Sequence, residues 1–221
     1  NQSPLRPALS VVDDFENGDY RIDESAGRSG DWFVANDGSP GATMAPSSFI
    51  DVASAIEAGD PTFGTNGFAL HASGSGFCSH AEPNSNWGAL IGCNLNQIVT
   101  TKNPYDASAY CALSFAARGA FAMGSSPRPL HVRVSDQWTI PDAGNCGQTW
   151  LCNAHAGVAF VVPEVDAWTT FELPLEDFRH PTVPQHAELD RSALYSIEFT
   201  FEGQGEFDVW LDDLALVACG P

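Results

Sequence analysis

"YSIEFTFEG", residues 195–203, and "FDVWLDDLAL", residues 207–216, stand almost end to end near the close of a 221-residue chain, and both alternate apolar with polar side chains. A period of two marks a strand with one buried face, because successive side chains of a pleated strand point to opposite sides. Ile197, Phe199 and Phe201 therefore turn inward, and Glu198, Thr200 and Glu202 turn outward. In the second stretch Phe207, Val209 and Leu211 turn inward, leaving Trp210 with Asp208 and Asp212 on the other face. Continued alternation puts Asp213 inward at the strand's end, where a lone carboxylate is costly unless something neutralises it.

The same pattern recurs along the chain. "FALHAS" (68–73), "WGALIG" (87–92), "YCALSFAAR" (110–118), "LHVRVSD" (130–136), "GVAFVVP" (157–163) and "WTTFELPL" (168–175) all read as half-buried strands. Clusters of Gly, Pro, Asn, Asp and Ser separate them, and gaps such as "ARGAFAMGSSPRP" break any helix. Helical candidates are short: 51–59, 175–178 and 190–194. Many short strands without α–β alternation indicate an all-β fold, a single antiparallel β-sandwich or jelly roll with few short helices. The expected organisation is a flexible tail over 1–9 and one domain over 10–219, a length at which one sandwich buries a full core.

Nine Lys and Arg stand against 28 Asp and Glu, a formal charge of −19. Such a surface repels nucleic acid and anionic membranes, tolerates neutral ligands such as sugars, and attracts cations. No apolar run approaches the roughly 20 residues of a membrane span, and the polar start "NQSPLRPALS" reads as a mature end. Six cysteines in an acidic chain whose only lysine is Lys102 suggest an oxidising compartment. We therefore expect a secreted, extracellular or envelope-exposed protein. Cys146 and Cys152 in "GNCGQTWLCNAH" are the best pair, closing a short loop; Cys78 with Cys93, and Cys111 with Cys219, would take the remaining thiols. Cys146, Cys152 and His155 also have zinc-ligand chemistry, but no fourth ligand stands nearby.

"DDFENGD" near the start, "GRSGDWFVANDGS", the segment around "YDASAY", and the final "FDVWLDDLAL" together resemble bacterial jelly-roll carbohydrate-binding modules of the galactose-binding-domain-like group, nearest to the glucan-binding family 11 modules. "CNAHAGVAFVVPEVDAWTTFELPLEDF" is similar to segments of secreted proteins of this fold that carry no enzyme. The resemblance implies a structural calcium ion between the chain ends, with Asp14, Glu16, Asp212 and Asp213 as the matching residues. Calcium gathers six to eight hard oxygens from separate segments and would offset the cost of an inward Asp213.

The resemblance also implies a cleft on a concave sheet that binds polysaccharide or oligosaccharide. Sugars are held by aromatic rings stacked on their apolar faces and by planar polar groups bonded to their hydroxyls. The candidates on outward faces are His71, His131, Arg133 and Trp210, to which the loops add Trp32, Asn36, Asp37, Trp87, Trp150 and His155. Arg133 and His71 are the best supported. No row of tyrosines stands at the matching positions. An alternative is a polysaccharide hydrolase or lyase on the same fold, with Glu198, Asp208 and His71 as the acid–base set. A structural or adhesion domain is the third reading. No nucleophile elbow, metalloprotease helix or phosphate loop is present.

Overall fold

A computed structural model describes residues 8–48, 50–58, 67–79, 86–147, 152–163, 166–181 and 186–220. The first half of the chain forms β1 (Leu9–Asp13), β2 (Trp32–Asn36), β3 (Thr43–Ala45), β4 (Ile56–Ala58), β5 (Phe68–Ser75), β6 (Ala89–Asn94), β7 (Gln97–Ile98) and β8 (Thr101–Lys102). The second half forms β9 (Tyr110–Met123), β10 (Ser126–Pro127), β11 (Leu130–Asp136), β12 (Ala156–Phe160), β13 (Thr169–Pro174), β14 (Leu194–Phe201) and β15 (Glu206–Ala218).

The named strands pair antiparallel and fall into two sheets that pack as a sandwich, with β7 and β8 forming a separate small hairpin. The smaller sheet has five strands in the order β12-β11-β14-β6-β2. The larger has eight, along β10-β9-β15-β5-β3, with β1, β13 and β4 attached beside β15, β9 and β5. Strand β15 lies along β9 on one edge; its other edge pairs with β5 over Glu206–Leu211 and with β1 over Leu214–Val217. The changeover falls on Asp212 and Asp213.

Inward residues of both sheets make one core. Phe115 of β9 meets Phe160, Phe171 and Phe199 at ring-centroid distances of 5.1–5.2 Å, joining the two layers. Phe201 stacks on Phe207 at 3.8 Å. Burying each such ring contributes about 1.5–3 kcal/mol relative to leaving it in water. Cys111–Cys219 ties β9 to the end of β15, and Cys146–Cys152 closes the short loop before β12, so both of these expected pairings form. The second bond also removes the zinc ligands.

The third pairing does not form. Cys78 and Cys93 are free and buried. Cys93 points into the core of β6 beside Trp32 and Ile197, whereas Cys78 lies beyond the end of β5, where its N–H is held by Asp37. Strand β9 also runs on to Met123 through a stretch read as a turn, because Gly119 (φ 103°) pairs with Val209 where a Cβ would strike the Asp208 carbonyl, and Phe121 beyond it is buried. Of the helical candidates, 51–59 becomes a 3-10 turn (Ile50–Ala55) followed by β4, and 175–178 a 3-10 turn at Leu175–Asp177. Residues 190–193 form a turn that leads into β14 at Leu194, and in it the Asp190 carboxylate accepts the Ser192 N–H and hydroxyl. Residues 1–7 of the expected tail lie outside the described residues, and Leu9 already belongs to β1.

Parity fails at one further point. A bulge between Asp212 and Ala215, with Asp213 at φ 51°, turns Asp213 to solvent and leaves Asp212 buried. The extra residue reverses the alternation, as bulges do.

Candidate functional site

Strand register builds a site on the outer face of the five-stranded sheet. One row across all five strands reads Gly157, Arg133, Glu198, Gly92, Phe33. The row beside it reads Ala159, His131, Thr200, Leu90, Ala35. The two glycines make room: a Cβ at Gly92 would sit 2.7 Å from the Ile197 carbonyl and 3.0 Å from Glu198 Cγ, and one at Gly157 would sit 3.2 Å from Arg133 Cγ. Large polar side chains thus stand in the middle strands, between small neighbours.

Above these rows lies a cleft of about 540 Å³ lined by Phe33, Trp87, Arg133, Asn153, His155 and Glu198, with Lys102 and Asp142 at its edges. A second hollow of about 470 Å³ shares Trp87 and Arg133 and adds His131, Arg128 and Glu202. Shared lining makes the two one trough, with Trp87 and Arg133 at its middle. Trp87 is 39% exposed.

The charged groups of the trough are held by one another. Arg133 reaches Glu202 at 2.5 Å, and His131 Nδ1 lies 3.0 Å from the same oxygen. Burial works against ionisation of Glu202, but His131 and the Arg133 charge outweigh it and hold the carboxyl below its usual range. Glu198 is buried, accepts the Ser196 hydroxyl at 2.9 Å and lies 3.7 Å from His155 Nε2. His155 in turn bonds Thr139 at 2.9 Å; burial pushes its pKa down, with Glu198 opposing and Arg133 assisting. A neutral imidazole, a guanidinium and two carboxylates facing an open trough can exchange hydrogen bonds with hydroxyl groups, while Trp87 and Phe33 offer apolar surface beside them.

Of the expected ligand contacts, Trp87, His131, Arg133 and His155 come together here, joined by Glu198. Others do not. Trp32 faces the core in the row Trp32, Cys93, Ile197, Val134, is 1% exposed, and donates its indole N–H to Asp13 at 2.5 Å. The alternation of "DWFVAN" makes Phe33, not Trp32, the outward ring. Asp37 accepts the backbone N–H groups of Ser39, Cys78 and Gly88, so it staples loops rather than facing a ligand. Asn36 caps its own turn through the Gly38 N–H. Trp150 lies outside the described residues.

His71 and Trp210 sit on the opposite side of the molecule, on the outer face of the eight-stranded sheet. Register aligns His71, Trp210 and Arg118 across β5, β15 and β9. His71 stacks on one side of the indole at 4.2 Å, and the Arg118 guanidinium approaches the same ring at 4.6 Å and Trp168 at 5.2 Å. His71 also bonds Asp208 at 2.8 Å. The acid–base set Glu198, Asp208 and His71 is therefore divided between two sheets. Adjacency of β14 and β15 in sequence is not adjacency in space, and packed sheets stand about 10 Å apart.

At the sandwich edge Asp14, Glu16, Asp212 and Asp213 act on one another. Burial first, then Asp213, Glu16 and Asp14, push the Asp212 carboxyl up to about 7. Asp213 is raised by burial and by Asp14 and Glu16. Among the described residues no basic side chain is ion-paired with any of the four. The tightest grouping of carboxylate oxygens there is Asp13, Asp14 and Asp23, within 4.8 Å of one another. Both oxygens of Asp13 already accept hydrogen bonds, from Phe15 N–H and the Trp32 indole.

No protein-family model matches the chain, and no characterised protein sequence matches it significantly. Solved structures do. The family 11 carbohydrate-binding module of the cellulosomal cellulase Lic26A-Cel5E of Clostridium thermocellum has a TM-score of 0.54 at 15% identity, with 96% of each chain covered. A family 11 module from Clostridium thermocellum in complex with a β-1,3-1,4-mixed-linked tetrasaccharide has the same score and identity over 98% of each chain. An exo-β-agarase has a TM-score of 0.52 at 13% identity, matching 96% of this chain to 26% of its own. The chain shares the jelly-roll fold of these modules over nearly its whole length.

Proposed function

We propose that this protein is a secreted module that binds polysaccharide along the trough over its five-stranded sheet, with Trp87 and Phe33 against sugar rings and Arg133, Glu198, Glu202, His131 and His155 against hydroxyls. One observation carries the reading: the cross-strand row Gly157, Arg133, Glu198, Gly92, Phe33, in which glycines clear space around two charged groups that open on aromatic surface. The fold shared with carbohydrate-binding modules supports it. Two disulfides fit an oxidising compartment, and no helix among the described residues is long and apolar enough to cross a membrane.

Binding is preferred to hydrolysis because the acid–base candidates do not face one another. Glu198 and Asp208 lie on different sheets; of the other two acids of the trough, Glu202 is committed to Arg133 and His131, and Asp142 stands exposed on a short turn. The test is an array of plant, algal and microbial polysaccharides probed with the purified protein, with product analysis on every hit. Retention without release of fragments, lost on Trp87→Ala and on Arg133→Ala, is the expected result. Fragment release that survives both changes would overturn the reading.

We further propose that Asp14, Glu16, Asp212 and Asp213 hold a structural calcium ion. Four carboxylates without a basic partner among the described residues, one of them buried, suit a hard divalent cation. Bound there, it would neutralise the acids where β15 changes partner from β5 to β1. Adding a chelator should lower the melting temperature, excess calcium should restore it, and Asp213→Ala should abolish the response.

A further inference from the structure

We infer that the glycan bound in the trough carries an anionic substituent, a carboxylate or a sulfate ester, and that Lys102 is the residue that selects it. The inference rests on the trough being a glycan site and names the class of glycan. Charge is distributed unevenly in this molecule. Three of the chain's nine Lys and Arg residues, Lys102, Arg128 and Arg133, line the trough, against three of its 28 acids, Asp142, Glu198 and Glu202. A surface at −19 overall is locally close to neutral here.

The remaining cations and acids are accounted for. Arg133 holds Glu202, Arg128 donates to the Gln204 carbonyl at 2.8 Å, and Glu198 lies buried on Ser196 and beside His155. Asp142 is exposed on a short turn at the rim. Arg128 likewise pairs with no carboxylate among the described residues and lies over the Phe121 ring, but it donates to a backbone carbonyl; Lys102 differs in having its donors unspent among those residues. Among the described residues it pairs with no carboxylate, although acids outnumber bases threefold; its ammonium stands over the Phe33 ring, 5.3 Å from the centroid. An ammonium on an aromatic face at the edge of a cleft keeps its donors for an incoming group.

Phe33 and Arg133 are three strand spacings apart, about 14 Å. A chain lying across the sheet therefore runs from the Arg133–Glu202 pair at the middle of the trough to Lys102 beside Phe33. The net charge of the protein does not forbid an anion there, because at physiological ionic strength fields are screened beyond about 8 Å. The local ammonium decides.

The experiment compares matched probes by affinity electrophoresis: hydroxyethyl-cellulose against carboxymethyl-cellulose, methyl-esterified against de-esterified homogalacturonan, and agarose against a sulfated galactan of the same backbone. At least one anionic member should bind about tenfold more tightly than its neutral partner, the scale of one charge-assisted contact. Which pair responds separates carboxylate from sulfate. Lys102→Gln, checked for an unchanged melting temperature, should erase that preference, and Lys102→Arg should keep it. A neutral glycan bound as tightly as its anionic partner, or a preference unchanged in Lys102→Gln, overturns the inference and leaves the trough as a glycan site. Binding to none of the array or the probes overturns both.

Discussion

The two outer faces of the sandwich are made from similar residues and come to opposite ends. On the eight-stranded sheet an indole, an imidazole and a guanidinium stand in register, and each occupies the next: His71 and Arg118 both lie against Trp210, and Asp208 closes the row by bonding His71. On the five-stranded sheet glycines flank the adjacent pair Arg133 and Glu198, both of which line an open cleft, and Trp87 beside them stays 39% exposed. A ring with a single cation against it, as Phe33 has Lys102, still lines a cleft, whereas Trp210 is clasped by His71 and Arg118 from the strands on both sides. Cross-strand neighbours settle that, and they are fixed by pairing, not by composition.

The largest expected difference between the faces is in binding. Trp87→Ala combined with Arg133→Ala should reduce glycan affinity by at least about a hundredfold, as loss of a stacking ring and a charged donor together implies. Trp210→Ala combined with Arg118→Ala should leave affinity within about twofold while destabilising the fold by about 2–4 kcal/mol, measured by urea denaturation. Equal loss of affinity from both pairs would erase the contrast.

A smaller effect sharpens the role of glycine. Gly92→Ala forces a Cβ toward the Ile197 carbonyl and Glu198, so it should cost about 1–3 kcal/mol of stability and weaken binding about tenfold. Gly124→Ala, at an exposed turn of the other sheet where a Cβ meets nothing within 4 Å, should pay only the positive-φ cost of about 1 kcal/mol and leave affinity unchanged.

The smallest effect concerns pH. The folded pKa of His155 lies below the ordinary 6.5, so the unfolded chain takes up a proton there before the folded one does. Its contribution to stability is therefore full above about pH 6.5 and is lost as pH falls below that value. Asp13 and Asp212, both raised to about 7, act in the opposite direction, favouring the fold at lower pH. The difference between wild type and His155→Gln isolates the histidine: the variant should lose less melting temperature between pH 7.5 and pH 5. Parallel curves would show that the buried imidazole does not titrate with folding.

Much of this was legible in the chain. Alternation gave the strands, the inward sets of β11, β14 and the first half of β15, and an all-β sandwich; it also marked His131 and Arg133 as outward. Three things escaped it, each for a physical reason. A bulge shows in the apolar pattern only as one three-residue step, from Leu211 to Leu214, which strict alternation through Asp213 passed over, so Asp212 and Asp213 exchanged roles. Sheet membership is set by long-range pairing, so Glu198 and Asp208, ten residues apart, landed on different layers. Trp32 drew attention as a tryptophan in a polar loop, but its partner Asp13 lies nineteen residues upstream, and only the fold brings that acid to its indole. Phe33 and Lys102 had weaker signals, a parity step beside Trp32 and the singularity of one lysine, and both were readable in hindsight from those alone.

The pairing of Leu9 with Val217 in β1 and β15, together with the Cys111–Cys219 bond just beyond, has a mechanical consequence. Tension drawn between the two ends would unzip β1 one residue at a time, since the partners leave from the same end of an antiparallel pair. The other end would not peel, because load arriving at Cys219 passes through sulfur into β9, in the middle of the larger sheet. A pull would strip a single border strand and leave the trough intact.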